Sequence, residues 1–139
     1  NGRRSIYIQV RRNFLTPMFM AFDYPLPISA IGRRGVSTVP SQAPMLMNNE
    51  FVARQAEAWA QRVLQADAIP ENVVGKMFLT AFGRPAAVKE IKETLDFAKE
   101  QMMRHAALAA DASESQIKQG VWADVAHVLF NSAEFIYVR

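Results

Sequence analysis

Three residues near the C-terminus have the types that acid–base chemistry needs: Asp124, His127 and Glu134. Asp124 and His127 are three positions apart, so on a helix their side chains can meet. A carboxylate beside an imidazole orients a general base. No Gly-x-Ser-x-Gly motif supplies a matching nucleophile. The plainer reading of His127 is a structural, hydrogen-bonded histidine. The second histidine, His105, is expected near the end of a helix, where it favours the helix dipole. Two histidines this far apart do not spell a metal site, and no metal is expected.

A second constellation carries charge. Residues 1–49 hold six arginines in three doublets, Arg3-Arg4, Arg11-Arg12 and Arg33-Arg34, with no lysine and one acid, Asp23. That third is about +5, and the rest about −2, within a formal net charge of +3. Guanidinium groups give planar, directed hydrogen bonds where lysine gives a point charge. The doublets therefore suit an anion site for phosphate, sulfated sugar or another anionic glycan, or an interdomain surface. The structural alternative is that they tie an irregular segment together through backbone carbonyls and Asp23. Around the third doublet, Gly32 and Gly35 flank Arg33 and Arg34, with Ser37 and Thr38 following. Two glycines before a helix start can cradle an anion, although the spacing is not that of a nucleotide-binding P-loop. Nucleic acid is disfavoured, because no recognition motif or lysine–aromatic interleaving accompanies the arginines.

The elements that must position these residues are mainly helices. Asn49 is a good N-cap for a helix over 50–66, with Val52, Ala56, Trp59 and Val63 on one stripe. Pro70 suits the first position and Gly83 the end of a helix over 70–82. A third helix over 85–110 is expected to fray after Arg104, with Val88, Ile91, Leu95, Ala98 and Met102 inward. Ser113 and Gln116 form a capping box for a fourth over 114–132. Before them, residues 16–47 hold five of the seven prolines and read as irregular, with short helical turns at 17–22 and 40–47. Thr38 is placed to cap the second of these turns. Residues 5–10 alternate like a strand, and 135–138 is its one candidate partner. Glu134 is then expected to pair with one of the N-terminal doublets.

The fold class expected is thus a mainly α bundle of four or five helices (50–139), with an irregular arginine-rich arm (1–49) and room for one small strand pair. The 139 residues suffice for one domain. The apolar runs are broken by charge, so no membrane span is expected. There is no cysteine, which excludes disulfides, thiolate metal sites and covalent haem attachment in this segment. No cofactor is expected here. The seven methionines read as core filler. The chain opens Asn1-Gly2 with no leader, and is expected to be a fragment or processed product of a larger protein.

The residues also resemble a known family. The match runs through Arg3-Arg4-Ser5-Ile6-Tyr7, Arg11-Arg12, Phe22-Asp23, Pro25, Arg33-Arg34, Ser37-Thr38, Pro40, Gln42-Ala43, Asn48 and Phe51-Val52. It continues in Phe82-Gly83-Arg84-Pro85, Trp122-Ala123-Asp124-Val125, His127, Leu129, Asn131-Ser132, Glu134-Phe135 and Tyr137-Val138. Together these are similar to the C-terminal part of the planctomycete-type domain of unknown function 1553. Met45-Leu46-Met47-Asn48 departs from that family's usual leucine-leucine-asparagine run. The resemblance implies an exported parent, periplasmic or at the cell surface, often carrying a cytochrome c domain elsewhere. It assigns no catalytic residue. Two functions are carried forward: a non-catalytic structural or interaction module packing on other domains of the parent, and part of a hydrolase acting on anionic polysaccharide. In the second, Asp124, His127 and Glu134 are the acid–base groups and the arginines grip the anion.

Overall fold

The computed structural model describes residues 7, 9, 15–22, 24, 32, 42–108 and 111–137. The chain divides into two compact units, Asn1–Met45 and Leu46–Arg139. In the first, α1 (Pro17–Ala21) opens on a proline after extended Thr16, where the missing N–H has no helical partner to lose. Tyr24 donates its backbone N–H to Phe19 O at 2.9 Å, and the two rings stack at 5.0 Å. The helix α2 (Gln42–Asn48) spans the boundary between the units.

The second unit is a helical bundle: α3 (Glu50–Ala66), α4 (Pro70–Phe82), α5 (Val88–Leu108), α6 (Glu114–Phe130) and the single turn α7 (Ala133–Ile136). Local chemistry sets most of the boundaries. Asn49 accepts the Phe51 N–H and starts α3. Gly83 ends α4 in the left-handed region at φ 69°, which a side chain would strain. At the start of α6, Ser113 and Gln116 bond each other's backbone reciprocally.

The core lies among α3, α4, α5 and α6. It is built on Trp59, Val73, Val74, Met77 and Trp122, with Ala56, Ala60 and Ala126 between them. Small residues beside large ones let facing helices interdigitate. On α6 the consecutive residues Val121, Trp122 and Ala123 are all buried, as are Val125, Ala126 and Leu129. A helix buried on more than one side is central, and α6 packs against α3, α4, α5 and α7.

Three expectations need correction. The 135–138 segment is not a strand: Phe135 and Ile136 are helical, because the Ser132 hydroxyl accepts the Phe135 N–H and opens α7. No strand occurs among the described residues, and most of the 5–10 segment lies outside them. The helix α5 does not fray at Arg104 but runs to Leu108. Its inward stripe is also shorter than expected. Val88 is exposed, Met102 is on the exposed side of the boundary, and Ala98 is the one buried residue of α5.

Candidate functional site

The most connected polar residue of the bundle is Arg84. It follows Gly83, whose left-handed backbone turns the chain out of α4, and it precedes Pro85. Its guanidinium meets Glu90 through both terminal nitrogens, at 2.8 and 2.7 Å. It meets Glu134 through Nε and Nη2, both at 2.6 Å. The same group lies over Phe78 and Phe82, with Cζ at 5.7 and 5.6 Å from the ring centroids. One cation thus joins the end of α4, the first turn of α5 and α7. Glu90 is engaged twice, since its Oε2 also accepts the Ala87 N–H at 2.7 Å.

The electrostatic result is a pair of fixed carboxylates. The bidentate bond from Arg84, and then the Ala87 N–H, pull the Glu90 pKa from its ordinary 4.5 down to about 2. Arg84 is raised correspondingly, by Glu90 first and Glu134 second. Glu90 held this way is ionised near neutral pH, accepts hydrogen bonds and has no proton to donate.

The second polar cluster joins α5 to α6. His105 Nε2 stands 2.7 Å from Asp124 Oδ2, and both side chains are half-exposed. Asp124 is therefore paired with His105 and not with His127, as the spacing within α6 had suggested. His127 Nε2 instead reaches the Leu46 carbonyl at 3.3 Å. One turn on, Asn131 Nδ2 donates to His127 O at 2.8 Å and closes the end of α6.

The three acid–base candidates are thus distributed. Asp124 bonds to α5, His127 to the backbone of Leu46, and Glu134 to Arg84. The anion-site candidates Arg3, Arg4, Arg11, Arg12, Arg33, Arg34, Ser37 and Thr38 lie outside the described residues, as does any pairing of Glu134 with a doublet. Among the described residues no three histidine, aspartate or glutamate side chains converge to hold a metal ion. No described helix is long and apolar enough to cross a membrane.

Sequence reasoning did not single out Arg84, Glu90 or His105 as site residues. For Arg84 a signal existed: an arginine between glycine and proline, just beyond two phenylalanines one turn apart, is placed to fold back on the helix it leaves. For His105 there was none, because its partner is on another helix.

Among the described residues, two shallow clefts mark the surface of the bundle. One, of about 210 Å³, lies among α3, α4 and the corner between α6 and α7. The other, of about 240 Å³, lies between α5 and α6 and is almost wholly apolar.

Neither a curated protein nor a solved structure matches the chain. A family profile does, over residues 1–98, which takes in Arg84 and Glu90 and ends before Asp124, His127 and Glu134. The match covers more than half of the sequence, and the chain belongs to the PSD1 family, proteins of unknown function (DUF1553).

Proposed function

We propose that this chain is a non-catalytic structural or interaction module of an exported, cytochrome-associated multidomain protein of the periplasm or cell surface. Its partners are the other domains of that protein and, through the arginine doublets, an anionic glycan. The exported, planctomycete-type and cytochrome-linked setting rests on the family resemblance. The module reading rests on one observation in the bundle: Asp124, His127 and Glu134 each hold a different element in place. A hydrolase needs its acid and base on opposite sides of one bond, within several ångströms of each other. Groups already engaged in separate tertiary bonds are suited to fixing a surface.

The test is incubation of the chain with sulfated and carboxylated polysaccharides. Retention on the polymer and the appearance of new reducing ends are both measured. The module reading expects salt-sensitive retention, no new ends, and no change in Asp124→Asn or His127→Ala. Reducing ends that vanish in either variant would establish the hydrolase instead.

A further inference from the structure

The cleft among α3, α4 and the α6–α7 corner has a definite composition. Its floor is aromatic. Trp59 and Phe130 stack at 5.2 Å with 22° between their planes, and Phe135 packs on Phe130 at 5.1 Å, tilted by 48°. Phe135 remains 42% exposed. Its rim is polar, formed by Gln55, Arg62 and Thr80. Gln55, Trp59 and Arg62 recur at four- and three-residue steps on α3, so an exposed amide and an exposed guanidinium flank a ring that is itself buried.

Arg62 stands apart from the other described arginines. Arg54 pairs with Glu50, Arg84 with Glu90 and Glu134, and Arg104 with Glu100. Among the described residues Arg62 has no ion pair and no hydrogen bond. The cleft therefore sets the exposed part of Phe135, tilted against Phe130, in the same lining as a cation that has no ion pair among the described residues. The cleft has a volume of about 210 Å³ and is open to solvent.

We infer that this cleft binds a monocyclic aromatic carboxylate, its ring on Phe130 and Phe135 and its carboxylate on Arg62. A flat ring is favoured because offset and edge contacts with two phenyl groups add to simple burial. A carboxylate is favoured because the guanidinium fork matches its two oxygens. The cleft is shallow and has three polar groups, so it suits one ring rather than a polymer chain. This binding goes beyond the module reading and is independent of whether the doublets hold a glycan.

The probes are benzoate, its neutral analogue benzyl alcohol, and acetate, titrated against the full chain and followed by NMR at the Trp59 indole. Trp59→Phe assigns that signal against Trp122. Benzoate is expected to shift the Trp59 resonance and to bind about tenfold more tightly than benzyl alcohol, the difference a charge-assisted hydrogen bond makes. Acetate, lacking the ring, is expected to bind more weakly still. Arg62→Met keeps the stem and removes the charge. Since Arg62 is exposed and unbonded, the fold should survive, as circular dichroism will verify. Benzoate affinity should then fall to that of benzyl alcohol, with benzyl alcohol unchanged. Equal benzoate affinity in wild type and Arg62→Met, benzoate no better than acetate, or no movement of the Trp59 signal would each overturn the assignment.

Discussion

The imidazole of His105 lies against Gly120, so close that a methyl group at position 120 would stand 3.0 Å from Cε1 and 3.2 Å from Nδ1. From there Nε2 reaches Asp124. This contact matters because α5 has little else to hold its second half. Beyond Ala98 no α5 residue is buried, and Met103 and Leu108 are largely exposed. A glycine inside α6 is costly for the helix, and the space it leaves is the seat of the imidazole.

Replacing Gly120 therefore sets two effects against each other. Alanine gains about 1 kcal/mol of helix propensity. It also pushes the ring away and weakens the bond to Asp124, which costs about 1 kcal/mol. Gly120→Ala alone should be close to neutral by urea denaturation. In a His105→Ala background the same change should stabilise by about 1 kcal/mol, because the propensity gain is no longer opposed. Additive effects of the two substitutions would mean that the seat is not there.

Arg84 should tolerate no substitute. Lysine keeps the charge but cannot fork to two carboxylates at once. Alanine leaves Glu90 and Glu134 without the cation they share. The expected order of Tm is wild type, then Arg84→Lys, then Arg84→Ala. Hydrogen exchange should locate the damage, with amides of α7 losing protection in both variants while those of α3 keep theirs. Equal protection of α7 in all three proteins would sink the clamp.

Glu90 makes the same clamp sensitive to acid. Its native pKa, about 2, is below the ordinary 4.5, so the unfolded chain binds the proton more tightly. The stabilisation is present in full above about 4.5 and is lost as the pH falls towards about 2. Wild type should therefore lose more stability than Glu90→Gln across that window. The gap between them should be largest at neutral pH and nearly closed near pH 2. The Glu90 side chain is 30% exposed, so added salt should narrow the gap at neutral pH as well. Parallel pH profiles for the two proteins would rule out the shift.

The sequence was most readable where a single residue decides a boundary. Asn49, Pro70, Gly83, Ser113 and Gln116 placed the start of α3, both ends of α4 and the start of α6, because caps act locally. It was least readable where a partner comes from elsewhere. Asp124 has an imidazole three residues ahead, yet bonds one nineteen residues back, which helix spacing does not reveal. The run Phe135-Ile136-Tyr137-Val138 has the composition of a strand, and so short an apolar run is ambiguous by pattern alone. The one signal for α7 was Ser132, whose hydroxyl caps the turn. Glu134 was expected to pair with an N-terminal doublet, which lies outside the described residues; among the described residues it pairs with Arg84.

The methionines separate core from surface in a way composition could not. Met77 is fully buried, in contact with the cluster that joins α3, α4 and α6, whereas Met103 is 68% exposed near the end of α5. Truncating a buried methionine removes its transfer energy and leaves a cavity that neighbours only partly fill, at a cost of about 2–5 kcal/mol. Met77→Ala should fall in that range by urea denaturation, with an unchanged dependence on denaturant. Met103→Ala should stay within about 0.5 kcal/mol of wild type, as surface changes do. Should Met77→Ala prove as mild as Met103→Ala, the burial of Met77 in the shared core would be wrong.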